Sequence, residues 1–176
     1  MSSDGIEEEE RIANERLSDP DAEIIHGPIR QLSGLHDSIV ALDRTATVDD
    51  AVKTMIQHRM GAILIVEDNK LFGLFSERDV LTRVVAQGLV PAETSIVDVM
   101  TPNPECLRFD DEIVFALNKM TVGGFRHVPI LDEDGVPIAV VSMRDVVDHI
   151  VSYYSNEVFN LPATPEARVS SKREGA

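Results

Sequence analysis

Residues 71–79 read LFGLFSERD, and residues 138–145 return to the same pattern as IAVVSMRD. In both places a short apolar run leads into Ser-x-x-Asp, and an apolar helical pattern follows the Asp. The segments before these motifs also match, at an offset of 65 or 66 residues. Repetition at such a period indicates two copies of one supersecondary unit. Two similar units that pack against each other create two similar clefts, and we expect the function to lie there.

The first copy predicts the order helix, strand, strand, helix. Apolar residues between Val48 and Ile56 recur at the spacing of one helix face. The branched run at 62–66 is short enough for a buried strand, and residues 71–75 form its antiparallel return. A second helix begins at Ser76 and ends at Gly88, because glycine commonly ends helices.

The second copy predicts the same order, with a helix over 111–121, strands over 128–131 and 138–141, and a helix from Ser142. Segments 39–42 and 106–109 are the expected lead-in strands, which makes each unit β-α-β-β-α. The predicted fold is therefore α/β, with two tandem units packed about a pseudo-two-fold axis. A single unit buries little surface alone, and pairing of whole chains into a homodimer extends the same logic.

The repeats divide the chain into four parts. We expect an acidic N-terminal arm over residues 1–34, partly helical or disordered, and a flexible C-terminal tail over 156–176. The first unit is predicted at 35–92 and the second at 97–155.

Composition excludes several classes of partner. The chain has 176 residues and a net charge of −15, which disfavours nucleic acid and anionic membrane surfaces. A small phosphate ligand remains compatible, because a helix N-terminus holds an anion even in an acidic protein. Cys106 is the single cysteine, no apolar stretch is long enough to cross a membrane, and the N-terminus lacks signal-peptide features. These features predict a cytoplasmic protein.

The two Ser-x-x-Asp motifs, Ser76 with Asp79 and Ser142 with Asp145, have two interpretations. A Ser followed three residues later by an acid is a capping box and needs no ligand. The same corner also exposes backbone N–H groups and a positive dipole end, which suit a phosphate. A carboxylate that accepts two hydrogen bonds suits the cis-diol of a ribose. Phosphate and diol together describe a nucleotide.

Four segments and the repeat itself together resemble a tandem CBS-domain pair, over about residues 35–152. The segments are 73–80 and 142–147 around the motifs, the lead-in 97–102 and the segment 126–130. The resemblance implies a cleft module that binds adenosine-containing ligands, with AMP, ADP or ATP most usual and S-adenosylmethionine or NAD(H) rarer. Such a module serves regulation and energy sensing and is not an enzyme.

The resemblance also implies roles for individual residues. Asp79 and Asp145 would hold ribose hydroxyls, and Ser76 and Ser142 would lie beside the phosphate or the ribose. Apolar residues at the strand edges would sandwich the adenine. The chain departs from the pattern at Ala139, which stands where the first copy has Gly73. The first copy also has residues 38–42 in place of the Met-Thr-Pro lead-in. Unequal affinity of the two sites is the expected consequence.

Four basic residues are further candidates for the nucleotide site. Arg126 is a candidate phosphate clamp, since a guanidinium fork matches phosphate, and His127 is a second candidate. The interpretation without a ligand, a surface Arg and a half-buried His at a strand edge, is slightly favoured for each. Arg78 and Arg144 recur inside the motifs, and either screen the phosphate or pair with a nearby acid.

Three functions remain open at this point. The favoured one is a regulatory module that binds an adenine nucleotide and transmits the change to a protein partner or across a dimer. The second is a ligand-independent scaffold in which both serines serve as caps only. An enzyme is disfavoured, because no catalytic motif and no metal-ligand spacing is present, and no obligatory cofactor is implied.

Overall fold

A computed structural model describes residues 24–33, 35 and 39–154 of the chain. The predicted flexible tail at 156–176 and most of the acidic arm lie outside these residues. In the first repeat, strand β1 covers Ala41–Asp43, helix α1 Val48–His58, strand β2 Ala62–Glu67 and strand β3 Lys70–Ser76. Three helical segments follow, which together form α2: an α-helical turn Glu77–Asp79, a π-helical turn Val80–Val84 and a 3-10 turn Val85–Gln87. Gly88, in a left-handed conformation, ends it as predicted.

The second repeat has the same order of elements. Helix α4 covers Ile113–Gly123, strands β5 and β6 cover His127–Leu131 and Pro137–Ser142, and helix α5 covers Met143–Tyr153. Between the repeats lie helix α3, Ile96–Val99, and the two-residue strand β4, Thr101–Pro102. The predicted mixed α/β architecture of two similar units is therefore confirmed.

The sheets of the two repeats differ at their edges. In the first repeat β1 pairs parallel with β2, β2 pairs antiparallel with β3, and β4 adds to the far edge of β3. In the second repeat β5 and β6 form an antiparallel pair, and Leu107 joins Ile130 by a parallel bridge. Where a lead-in strand is predicted at 106–109, the described residues therefore form this single bridge and not a full strand.

The segments that precede the repeats pack in exchanged positions. Ile96, Val99 and Met100 precede the second repeat, yet they are buried in the core of the first. Ile29 and Leu32 precede the first repeat, yet they are buried in the core of the second. Backbone hydrogen bonds secure both exchanges, from Ile96 N to Ala46 O at 3.1 Å and from Ile29 N to Asp111 O at 2.8 Å. The core of each repeat is therefore completed by the segment that leads into the other repeat.

The two units meet through their sheets. Ala62, Leu64 and Leu74 of the first repeat form a buried cluster, against which Val140 of the second repeat and Ile39 pack.

The motif helices are less buried than their periodicity predicts. Val84 is fully buried, but Leu81 is 64% exposed. A helix in a two-layer unit buries only the stripe that faces its sheet, so apolar residues beside that stripe stay in solvent.

Gly73 shows why the two copies differ at this position. A Cβ at Gly73 would lie 2.3 Å from the Met100 sulfur and 3.0 Å from the Thr101 carbonyl oxygen. These atoms belong to the segment that adds β4 to the edge of β3. Only glycine allows that approach, whereas Ala139, on the corresponding strand β6, is accommodated as a buried residue.

Candidate functional site

The first Ser-x-x-Asp corner joins β3 to α2. The carboxylate oxygen Oδ2 of Asp79 accepts a hydrogen bond from the Ser76 backbone N–H at 2.9 Å and from the Ser76 hydroxyl at 2.6 Å. Asp79 is only 7% exposed. The corner is therefore a capping box, as one of the two sequence interpretations predicted, and it orients the Asp79 carboxylate at the start of the helix.

Arg83 occupies the other oxygen of this carboxylate. Its Nε atom lies 3.3 Å from Asp79 Oδ1, at the i,i+4 spacing of a helical ion pair. Its Nη1 atom donates to the backbone oxygens of Val99 at 3.1 Å and Met100 at 2.5 Å. Arg83 therefore joins the first corner to the segment that leads into the second repeat.

The second corner has the same cap but different surroundings. Asp145 Oδ2 accepts from the Ser142 N–H and from the Ser142 hydroxyl, both at 2.7 Å. The residue four positions later is His149, which is 5% exposed and lies with Nε2 3.1 Å from the Ile24 carbonyl oxygen. Arg144 is 87% exposed at its side chain and lies 3.5 Å from Asp148.

A cleft of about 390 Å³ opens between the repeats at the first corner. Its volume lies within the range of small-molecule sites. Both repeats and the segment between them line it. The lining residues are Gly61, Leu74, Ser76, Arg78, Asp79, Arg83, Thr101, Asn103, Pro104, Glu105, Gly123, Gly124, Phe125, Arg126 and His127.

Basic groups gather in this cleft although the whole chain is strongly acidic. Arg78, Arg83 and Arg126 line it, against the carboxylates of Asp79 and Glu105. Arg78 Nη1 reaches across to the second repeat and donates to the Gly124 carbonyl oxygen at 2.5 Å. The cleft is therefore a local positive region that can hold an anion, in a protein whose net charge is −15.

His127 lies beside Gly61 of the first repeat. A Cβ built on Gly61 would be 3.1 Å from its Nε2 atom. Burial lowers the pKa of His127, and the neighbouring Arg126 lowers it further, while Glu77 and Asp145 act in the opposite direction. The imidazole is therefore predominantly neutral at neutral pH, and a bound anion would favour its protonation.

The cleft brings together five of the eight residues that the sequence singled out, namely Ser76, Arg78, Asp79, Arg126 and His127. Ser142, Arg144 and Asp145 do not line it. Sequence reasoning missed Arg83. Its spacing of four residues from Asp79 was visible, but its contacts with Val99 and Met100 depend on the exchanged packing of the lead-in segment.

Two classes of feature are absent from the part of the chain that the structure describes. No group of three or more His, Cys, Asp or Glu side chains is arranged to hold a metal ion. Among the same residues, no helix combines the length and the apolar character that a membrane crossing requires.

Comparison with known proteins places these features in a family. The family model for the CBS domain matches twice, at residues 29–86 and 96–152. The protein CBSCBSPB3 from Arabidopsis thaliana is 39% identical over 109 residues, which cover 62% of this chain and 20% of that protein. The chain thus spans about a fifth of the length of this curated relative.

Solved structures give the same result. A protein with CBS domains from Burkholderia ambifaria superposes with a TM-score of 0.65 at 27% identity, over 72% of this chain and 90% of that one. A CBS-domain protein from Pyrobaculum aerophilum, solved in complex with AMP, superposes with a TM-score of 0.62 at 24% identity, over 71% of this chain and 98% of that one. The repeat, the exchanged lead-in segments and the two matches of the family model together establish that this chain belongs to the CBS-domain family and carries two CBS domains in tandem.

Proposed function

We propose that the cleft at the first corner binds an adenosine-containing nucleotide, with AMP, ADP or ATP as the favoured ligands. The observation that carries this proposal is the meeting of one oriented carboxylate, Asp79, with the guanidinium groups of Arg78 and Arg126 and with His127 in a cleft of about 390 Å³. A carboxylate disfavours a bare anion, and the cations disfavour a ligand without negative charge. A nucleoside that carries phosphate satisfies both.

The chemistry of the cleft suggests how such a ligand lies. The ribose hydroxyls donate to Asp79, which is held at the helix start by Ser76. The phosphate lies toward Arg126 and His127, with Arg78 close by. Leu74, Pro104 and Phe125 supply apolar surface for the adenine. The AMP held by the Pyrobaculum aerophilum relative supports the ligand class.

The second corner is proposed as the weaker site. The positions that correspond to Arg126 and His127 in the first repeat are Gly61 and Ala62, which carry no charge. The second corner therefore has no arginine or histidine at these two equivalent positions. S-adenosylmethionine, which is cationic at sulfur, and NAD(H) remain alternative ligands for the module.

The proposed role is regulatory rather than catalytic. A ligand in the cleft contacts both repeats at once, so binding favours one relative arrangement of the two, and a partner senses that arrangement. The scaffold alternative, in which the fold acts without ligand, predicts no response to any nucleotide.

A second copy of the chain is the partner that the surface favours. Leu81 and Val147 occupy equivalent positions in the two repeats, and both are exposed apolar residues. A surface groove beside Leu81 is lined further by Val52, Met55 and Ile56. Equivalent patches related by a pseudo-two-fold axis match a two-fold partner. Sedimentation analysis tests this homodimer, which Leu81→Glu is expected to dissociate.

A melting-temperature scan tests the binding function. AMP, ADP, ATP, NADH, S-adenosylmethionine and adenosine are compared, and stabilisation is expected to grow with ligand concentration as RT ln(1 + [L]/Kd). Asp79→Ala should remove most of the shift with AMP, whereas the matched variant Asp145→Ala should retain most of it. Absence of a shift with every ligand would favour the scaffold, and equal losses in the two variants would contradict the unequal sites.

A further inference from the structure

Arg83 holds the carboxylate of Asp79 and the backbone of the lead-in segment at the same time. We propose that Arg83 is the positioning residue that couples occupancy of the cleft to helix α3 and strand β4, and that a ribose diol releases it from Asp79. This inference rests on the proposed function, because it assigns the regulation of the same site.

The acceptor capacity of Asp79 makes Arg83 and a diol competitors. An ionised carboxylate offers about four acceptor positions on its two oxygens. Two on Oδ2 are taken by the N–H and hydroxyl of Ser76. Arg83 takes one on Oδ1. One position remains, whereas a cis-diol that binds through both hydroxyls needs two.

Arg83 is the donor that the diol displaces from Asp79. Its separation from Asp79 is 3.3 Å, and its side chain is 43% exposed. The Ser76 hydroxyl is at 2.6 Å and belongs to the cap of the helix. An ion pair that solvent reaches from one side contributes little, so a ligand displaces it more easily than it displaces the cap.

The other end of the Arg83 side chain contacts the segment that leads into the second repeat, so its release from Asp79 would affect that segment. Its Nη1 atom binds the carbonyl oxygens of Val99 and Met100 at the end of α3. Thr101 and Asn103 follow directly and line the cleft. A guanidinium released from Asp79 is free to bind these carbonyls with its full fork, which stabilises the helix end.

The second repeat provides the contrast. His149 stands four residues after Asp145 and is directed toward the Ile24 carbonyl oxygen. Of the two corners, only the first therefore has an arginine that connects its carboxylate to a lead-in segment.

Hydrogen–deuterium exchange on the full chain tests the coupling. At α3 the backbone amides of Asp98 and of the C-cap residue Met100 donate to the backbone oxygens of Ser95 and Ile96. Saturating AMP should slow their exchange about two- to fivefold, the effect of a better-capped helix end. The comparison ligand is 2′,3′-dideoxyadenosine 5′-monophosphate, which lacks the diol and should leave that exchange unchanged at saturation.

Arg83→Met should bind AMP with a Kd within about threefold of the wild type, since the lost ion pair is partly exposed, and should lose the slowing at Asp98 and Met100. Arg83→Lys keeps the charge but cannot reach both partners, and should lose the slowing too, which preserves the test if the Met variant does not fold. Lys53→Met is the matched control, because Lys53 forms an exposed i,i+4 pair with Asp49 away from the cleft. It should respond as the wild type does.

Three results would overturn the coupling: slowing in the Arg83 variants, slowing by the dideoxynucleotide, or loss of AMP binding on Arg83→Met, which would make Arg83 a binding residue. A wild-type chain that shows no melting shift with AMP would instead remove the proposed function, and this inference with it.

Discussion

The two Ser-x-x-Asp corners have matching hydrogen bonds at their carboxylates and different chemical neighbourhoods. Asp79 and Asp145 each accept two hydrogen bonds from the serine three residues before them. Across from Asp79 lie Arg126 and His127, whereas the equivalent positions for Asp145 hold Gly61 and Ala62. A local motif therefore orients each carboxylate, and the other repeat contributes the residues that face it.

The residue four positions after the Asp is a further difference between the two corners. Arg83 remains at the cleft and binds the Val99 and Met100 carbonyls, while His149 is buried against Ile24. The partners differ because each corner meets a different lead-in segment. The repeats are therefore similar in sequence but not interchangeable in chemistry.

The largest expected effect comes from making the first corner resemble the second. The double variant Arg126→Ala/His127→Ala should weaken AMP binding by at least about 100-fold, since hydrogen bonds to charged groups contribute about 1.5–3 kcal/mol each. Adenosine, which has no phosphate, should lose less than about threefold. Isothermal titration calorimetry with both ligands measures the difference. Equal losses for the two ligands would mean that these side chains support the shape of the cleft rather than the phosphate.

The next largest effect is expected when the residue types at the equivalent strand positions 73 and 139 are exchanged. Gly73→Ala should destabilise the fold by about 2 kcal/mol, because its Cβ would collide with Met100 and Thr101. The expected fall in Tm is roughly 4–8 °C. The reverse change, Ala139→Gly, should cost only about 1 kcal/mol. Thermal unfolding of both variants checks this order, and a Gly73→Ala protein as stable as the wild type would show that the lead-in segment can move away from β3.

The two serine caps should be equal in stability and unequal in binding. Ser76→Ala and Ser142→Ala should each cost about 1 kcal/mol, since each removes an N-cap. Only Ser76→Ala should also weaken AMP binding, because it loosens the carboxylate that faces the cleft. Urea unfolding and calorimetry on the pair provide both measurements. A matching loss of affinity in Ser142→Ala would contradict the assigned asymmetry.

The smallest effect is a pH dependence specific to His127. Burial and Arg126 lower the pKa of His127 in the folded protein, while the unfolded chain takes up the proton near pH ~6.5. The unfolded state therefore binds more protons between the two pKa values, so stability falls as the pH drops below about 6.5 and levels off below the folded-state pKa. His127→Gln should lack this component in urea unfolding between pH 7.5 and 5. An unchanged slope in the variant would remove His127 as its source.

Much of the fold follows from local patterns. The helix face from Val48, the strand that begins at Ala62 and the end of α2 at Gly88 were all predicted, because periodicity and capping act over a few residues. The exposure of Leu81 was not predicted, since a periodic pattern does not reveal how wide a stripe the sheet covers. The exchanged lead-in segments were missed for a similar reason, because Ile29 and Ile96 each pack on the repeat that their segment does not lead into, and no local pattern marks that choice.

The amino-acid sequence already contains two matching units, each with a serine and an aspartate that form a cap at a strand-to-helix corner. That information is local, because a capping box involves residues three positions apart. The packing of the two repeats places a cluster of basic groups at the first corner, and it brings Arg83 into contact with the next segment of chain. Arg78 and Gly124 are 46 positions apart along the chain and touch only when the repeats pack together, so no pattern within one repeat contains that contact.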